Sequence, residues 1–590
     1  MKLKKISVCV LACVMLAAFL SGGCRPKEQP PAADVRVKVS FNLNYSDAPE
    51  PPPFKILTVG AAYGDLPAPE RESFEFVGWF FRDGTEQAVK TTVVTKTVNH
   101  TLYAKWLDGE GNEEPWDPPE EPEPDWDVDP DLYPQYNIPV YKKGAKMDIG
   151  AWSPYIGSQS GFNDMAAAGF TYAMPEVGQL DFAVDASAAK AALDRAAKAG
   201  VKILINDSGL SGLAFNDRNI WNTSRVDLYK NHSAFMGLFV EDEPHPASFP
   251  NAPGSAAWIK NEYGWMADKS EKFYQLFPSD KIFYVTLLPP FGNAADDKRT
   301  FGTTWEGYLN AILDMGASWL AMDHYVLVTI NSKYAIDPYF MTCLERAKKV
   351  AVARGVPLNP FVLAMPHRRE NPFCEYREAI EAEFRYQMAV QQAFGAESFI
   401  YFCYTTQEIN DDNPEGWVNY PSLVSTAGEK LTKYYYAKNV NNEIQKWAHV
   451  FKSFTHKKTV AVTQTGTSSY NLFTPYAGSG QNPAIQLENR VASGAAISGV
   501  PGITSVTSNR HAVLGAFEDA DGNKGFMLVN ATNPRDNYAA SATVKFGGNY
   551  KAALIYEKGA ARVISLNASG EAQVSLEPGE GKFIIPLGQK

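Results

Sequence analysis

Between residues 146 and 451 the chain alternates short apolar runs with longer stretches whose apolar residues fall three and four apart. The runs occupy residues 146–152, 170–174, 201–205, 236–240, 281–285, 318–322, 360–364 and 398–402. Runs of this length without helical spacing read as strands buried on both faces. The stretches between them, such as 186–200, 255–277, 338–355 and 376–395, read as amphipathic helices. Gly169, Gly200, Gly316, Gly355 and Gly395 each stand just before a strand, where a helix can end in a left-handed residue. Strand and helix in regular succession predict a parallel sheet, and eight such units predict a (β/α)8 TIM barrel over residues 136–455. An open doubly wound sheet would carry a Gly-rich phosphate turn after its first strand, and none follows residue 152.

The rest of the 590 residues is too long to share one core with that barrel, so the chain is multidomain. A net charge of -11 argues against nucleic acid as a partner, because phosphates need a basic face. At the N-terminus, Lys2, Lys4 and Lys5 precede an apolar run from Ile6 to Leu20 and then Ser21-Gly-Gly-Cys24. A basic start, a short apolar core and small residues make an export signal, too short for a comfortable membrane span. The small residues ending at Cys24 resemble a bacterial lipobox, with Leu20 one place earlier than that pattern has it. The resemblance implies that a signal segment within residues 1–24 is cut just before Cys24, which becomes the lipidated first residue, followed by a tether over 25–34, in an exported, membrane-anchored bacterial protein; the plain alternative is cleavage and secretion. Cys343, Cys374 and Cys403 remain, without paired spacing, and read as buried thiols.

Residues 35–107 alternate apolar and polar positions with turns at Tyr63-Gly-Asp and Asp83-Gly-Thr, which predicts short strands. Tyr63-Gly-Asp-Leu-Pro67, Phe76-Val-Gly-Trp79 and Leu102-Tyr-Ala-Lys-Trp106 resemble the internalin B-repeat family of small β-grasp-like surface modules. That resemblance implies a spacer or adhesive unit and no catalytic residue. Residues 108–135 are rich in Asp, Glu and Pro and read as an extended linker. Residues 456–590 return to short alternating strands, which predicts an antiparallel β-sandwich. Leu576-Glu-Pro-Gly-Glu-Gly581 and the strand after it resemble the closing strand of sandwiches attached to glycosidase barrels.

Chemistry on such a barrel sits where the strands end. The strongest candidate stretch is residues 235–245, an apolar strand that closes on Glu241-Asp242-Glu243-Pro244. Collecting the residues near the other strand ends adds Asp148, Trp152, Glu176, Asp207, Asp323, His324, Tyr325, His367, Arg368, Arg369, Glu370, Tyr404, Gln407 and Glu408. Carboxylates that bind hydroxyls, beside rings that stack on sugar faces, suit a carbohydrate. Each of these has a plainer use as well. Asp148 and Asp207 suit helix caps, Glu241 a salt bridge to a helix, His324 an orienting hydrogen bond, and His367-Arg-Arg369 a basic turn or a clamp on an acid. No set of His and acids has the spacing of a metal site, and no cofactor is expected.

Asp242-Glu243-Pro244 resembles the Asn-Glu-Pro at the end of the fourth strand in the large retaining-glycosidase clan that includes β-galactosidases and cellulases. The resemblance implies that Glu243 is the acid/base; Asp242 in place of asparagine adds a negative charge. Asp242-Glu243-Pro244 together with Asp323-His324-Tyr325 is closer still to glycosidase-like barrels of bacterial polysaccharide systems. That clan has its nucleophile at the end of the seventh strand, where this chain reads Ala364-Met-Pro-His-Arg-Arg-Glu370. Asp323 and Glu370 rank equally as the second carboxyl, with Glu408 behind. The expectation is a surface-anchored glycoside hydrolase using carboxylate acid/base catalysis; the alternative is a non-catalytic carbohydrate-binding lipoprotein.

Overall fold

The computed structural model describes residues 36–96, 99–113, 127–176, 179–207, 223–244, 264–290, 297, 300–330, 332–337, 339–370, 373–408, 416–467 and 487–590. The export signal, Cys24 and the tether therefore lie outside the described residues. Among the described residues no helix is long and apolar enough to cross a membrane.

The first unit is a five-stranded sheet whose opening strand, Arg36–Asn42, runs parallel to its closing strand, His100–Leu107. Along Arg36–Asn42 every second side chain is buried, the signature of a half-buried strand. Val37, Val39, Phe41, Trp79, Leu102 and Trp106 form its core. The acidic stretch that follows stops being an extended linker sooner than its composition suggests. Leu132 and Tyr133 are buried in the main core, and Arg36 donates to the Leu132 carbonyl. These two side chains, with the His449–Asp127 contact at 2.9 Å, tie residues 127–133 to the body behind them.

Eight parallel strands then close a barrel: β1 (Asp148–Trp152), β2 (Tyr172–Met174), β3 (Lys202–Ile205), β4 (Phe235–Glu241), β5 (Ile282–Leu287), β6 (Leu320–Met322), β7 (Leu358–Leu363) and β8 (Ser398–Phe402). Each pairs with the next, and β8 pairs with β1. Helices follow the strands in turn: α1 (Gln159–Ala167), α2 (Ala186–Ala199), α3 (Thr223–Val226), α4 (Gly264–Leu276), α5 (Trp305–Asp314), α6 (Phe340–Arg354), α7 (Glu381–Ala393) and α8 (Thr432–Phe451). Among the described residues α3 is a single turn. The five glycines singled out at helix ends all have left-handed backbones, with φ between 66° and 103°. Trp152, Tyr172, Leu204, Phe239, Tyr284 and Phe361 fill the barrel interior.

Gly237 shows how tightly the barrel closes. A Cβ there would lie 2.0 Å from the Ile282 carbonyl oxygen on β5. Backbone cannot swing aside as a side chain can, so Gly237→Ala is expected to destabilise the protein by about 1–3 kcal/mol in denaturant titration. An unchanged midpoint would mean that β4 and β5 separate freely.

Segments after β6, β7 and β8 build a second, antiparallel sheet on the side where the barrel strands end. Its order is 333–336, 327–330, 373–376, 367–370, 417–419. The C-terminal unit has a seven-stranded and a three-stranded sheet with an apolar core of residues from both. The other face of the larger sheet packs on α7 and α8, where Trp447 stacks on Phe583 at 5.9 Å.

Candidate active site

β5 organises the mouth of the barrel. The residues leaving β4 and β6 both hydrogen-bond to its tip: the Glu243 N–H donates to the Thr286 carbonyl (3.1 Å), and the Asp323 N–H to the Leu287 carbonyl (3.3 Å). Two strands that are not neighbours are thereby drawn together, and the carboxyls of Glu243 and Asp323 hydrogen-bond to each other. Glu243 stands in the left-handed region at φ 45°. For a residue with a side chain that conformation costs on the order of 1 kcal/mol or more and persists only where surrounding contacts hold it.

Two further acids adjoin this pair. Asp242 keeps solvent-exposed surface. Burial, then the charges of Glu243, Glu176 and Glu241, hold its carboxyl well above the usual range, with the nearby Thr286 acting against them. Glu176, after β2, accepts from the Trp152 indole Nε1 at 2.8 Å and from the Gln407 side chain. Gln179 joins this group by donating to the Ser153 hydroxyl at 2.8 Å. Asp323 is 4% exposed. Burial first, then the charge of Glu243 and the hydrogen bond to it, push its carboxyl far up, which favours a proton held within the pair.

Tyr325 points to the same acids and packs on Phe402 (5.0 Å), His367 (5.2 Å) and Tyr376 (5.3 Å). His367 lies behind it. Its Nδ1 donates to the Met365 carbonyl, its ring meets Trp417 at 5.4 Å, and burial lowers its pKa to about 4, so it is neutral. Arg369 lies over Trp417 at 5.3 Å. Glu241 sits on the outer side of β4, where burial pushes its carboxyl up to about 7 and Lys269 of α4 acts against the shift.

Several residues collected from strand ends are elsewhere. Asp148 is the first residue of β1, at the opposite end of the barrel, paired with Lys452 at 3.0 Å; its run was read as one strand, and the apolar part begins only after it. Asp207 is fully buried between Arg225 (2.8 Å) and the Tyr229 hydroxyl (3.2 Å), so it fixes α3 instead of facing the mouth. His324 alternates away from Asp323 and Tyr325, toward Asp337 at 3.5 Å and the Phe340 ring of α6. Tyr404 is packed against Phe170 in the layer between barrel and helices. Glu370 is the last residue of the strand His367–Glu370, opposite Phe373 at a hairpin tip; its side chain lies outside the described residues. Glu408 is exposed beside the undescribed residues 409–415.

Thr286, Phe402, Tyr376 and Trp417 belong to the mouth and were not foreseen. Thr286 had a signal, as the one hydroxyl near the end of an otherwise apolar strand. The other three reach the mouth through strand pairings that no local pattern announces. Among the described residues no three His, Cys, Asp or Glu side chains converge as metal ligands do.

The Asp323 proton has a consequence for stability. The unfolded chain gives up carboxyl protons above about pH 4, whereas native Asp323 and Asp242 keep theirs well beyond that. Stability therefore falls as pH rises through the interval between the unfolded and the raised native values. Asp323→Asn keeps an N–H for Glu243 and removes the titrating group. Its melting temperature at about pH 8 is expected to exceed that of the parent by about 2–4 °C, and a lower one would contradict the proton assignment.

Residues 38–105 match the family described as the Listeria-Bacteroides repeat domain. No curated protein matches the chain. Solved structures that align in part with this chain include glycoside hydrolases. One is a β-galactosidase from the psychrophilic Marinomonas ef1, at 10% identity and TM-score 0.37 over 52% of this chain and 60% of that one. Another is a β-galactosidase from Bacillus circulans sp. alkalophilus, at 8% identity and TM-score 0.41 over 76% and 100%. A GH5_18 from Bifidobacterium longum subsp. infantis aligns at 13% identity and TM-score 0.34 over 50% and 79%. This chain thus spans about three fifths of the first of these.

Proposed function

We propose that the protein is a glycoside hydrolase built on a (β/α)8 barrel, with Glu243 as general acid/base and Asp323 as its partner carboxyl. The observation that carries this reading is the hydrogen-bonded Glu243–Asp323 pair, formed across the tip of β5 at the barrel mouth. Glycoside cleavage needs one carboxyl that gives a proton to the leaving oxygen and a second that is ionised, as nucleophile or as base for water. The pair holds one proton between two acids, which is the required charge state. A sugar entering between them separates the two groups, leaving one to protonate the glycosidic oxygen and the other to face the anomeric carbon. Glu176, Asp242 and Gln407 are suited to sugar hydroxyls, and Tyr325 to a ring face.

The export signal and Cys24 support a location at the bacterial surface, held by a lipid anchor, with the N-terminal repeat domain as spacer. The reading is tested by incubating the protein with a panel of aryl glycosides and polysaccharides and measuring the reducing ends released. Release from at least one is expected. A second reading, a carbohydrate-binding protein without catalysis, is favoured by β7, which leads into Ala364-Met-Pro-His with no acid at its tip. Retention on a glycan affinity gel with no reducing ends from any substrate would decide for it.

A further inference from the structure

We propose that Glu176, Asp242, Glu243 and Asp323, flanked by Trp152 and Tyr325, form a subsite for a sugar bearing a primary ammonium group, so that the substrate is a glycan with free amines. The proposal rests on the carbohydrate reading of the same mouth and adds its substrate class. Acid/base cleavage uses two carboxyls, and four stand here.

The groups that act on Asp242 are Glu243, Thr286, Glu176 and Glu241, together with Tyr284 of β5. Those that act on Asp323 are Glu243, Asp242, Tyr284 and Tyr325. All the charged members of both sets are acids. Independently of the charge, Asp323 is more than nine-tenths buried, and its Oδ1 has no hydrogen-bond partner. A buried acceptor without a donor is rare in native structures and marks a place for a missing one. An ammonium group brings three donors and no acceptor, which fits a site made of oxygens.

The rings point the same way. Trp152 is bonded to Glu176, and Tyr325 lies in the field of Asp323, Glu243 and Asp242. Aromatic faces beside carboxylates attract organic cations. Burial and neighbouring acids favour the protonated forms of Asp242 and Asp323. An arriving ammonium favours their ionised forms, so its binding expels a proton.

Calorimetry on the full chain tests this at about pH 6, where a sugar amine is charged, in two buffers of different ionisation enthalpy. Glucosamine and galactosamine oligosaccharides are compared with their N-acetylated and neutral counterparts, and with spermidine. At least one amine-bearing sugar is expected to bind about tenfold more tightly than its counterparts, with close to one proton released per site. Asp323→Asn and Glu176→Gln, each checked by thermal melting, are both expected to erase the ratio between the amine-bearing sugar and its neutral counterpart. The proposal is overturned if no amine-bearing sugar outbinds its neutral counterpart, or if no proton is released. Spermidine binding as tightly as the sugar would overturn the sugar part. Cleavage of neutral glycans without amine preference would leave the hydrolase standing and remove only this inference. Tight amine binding without cleavage would do the reverse.

Discussion

Glu243→Gln is expected to lower kcat/KM on any glycoside the protein cleaves by about 10²–10⁴-fold, the usual contribution of a positioned proton donor. The substitution keeps the shape of the side chain and removes only its capacity to transfer a proton. The loss should therefore fall on kcat, with KM changed little. The fold should tolerate it well. The Glu243 backbone bond to Thr286 does not involve the side chain, and removing one acid relieves the crowding with Asp323 and Asp242. Because the two carboxyls share a hydrogen bond, Glu243→Gln combined with Asp323→Asn should cost scarcely more than the worse of the two alone. Multiplicative losses would show that the acids work independently, and full activity in Glu243→Gln would end the assignment.

Glu383→Ala is expected to cost about 3–5 kcal/mol of stability, the largest effect foreseen away from the mouth. Glu383 lies in the first turn of α7, has no exposed side-chain surface, and accepts from three donors. Arg377 reaches it at 2.6 Å, the Arg535 Nε at 3.1 Å, and the Ile380 N–H at 2.9 Å. Arg377 is itself buried, so removing the carboxylate leaves its guanidinium without the counter-charge it faces. Arg535 belongs to the C-terminal sandwich, and both arginines lie over Tyr334, in the hairpin of residues 327–336 beside the mouth. The substitution should thus loosen the sandwich and that hairpin together. Lowered denaturant midpoint and faster proteolysis of residues 327–336 are the expected readouts. A protein as stable as the parent would mean that the three units are held by their apolar contacts alone.

The barrel was legible because its cause is local. Each β-strand is an apolar run, each full helix an amphipathic one, and the five capping glycines meet a backbone requirement that scarcely any other residue satisfies. Glu243 was legible for the same reason, being an acid at the end of a strand buried on both faces. The site around it was less so. Asp323, Trp152, Glu176, Asp242, Tyr325 and Gln407 converge on it, while Asp148, Asp207, His324 and Tyr404 do not. Which end of a run lies at the mouth, and which of two successive side chains faces inward, depend on where the strand begins to within one residue. Apolar pattern alone defines that start only loosely.

By itself, then, the order of residues determined the ring of parallel strands, the antiparallel units on either side and one candidate glutamate, since propensity and periodicity act between near neighbours. The partner of that glutamate was decided only by the closed barrel. Asp323 lies eighty positions along the chain and two strands away, and it meets Glu243 because both loops hydrogen-bond to the tip of β5. Contacts of that kind come from three-dimensional closure, which no short window of sequence contains.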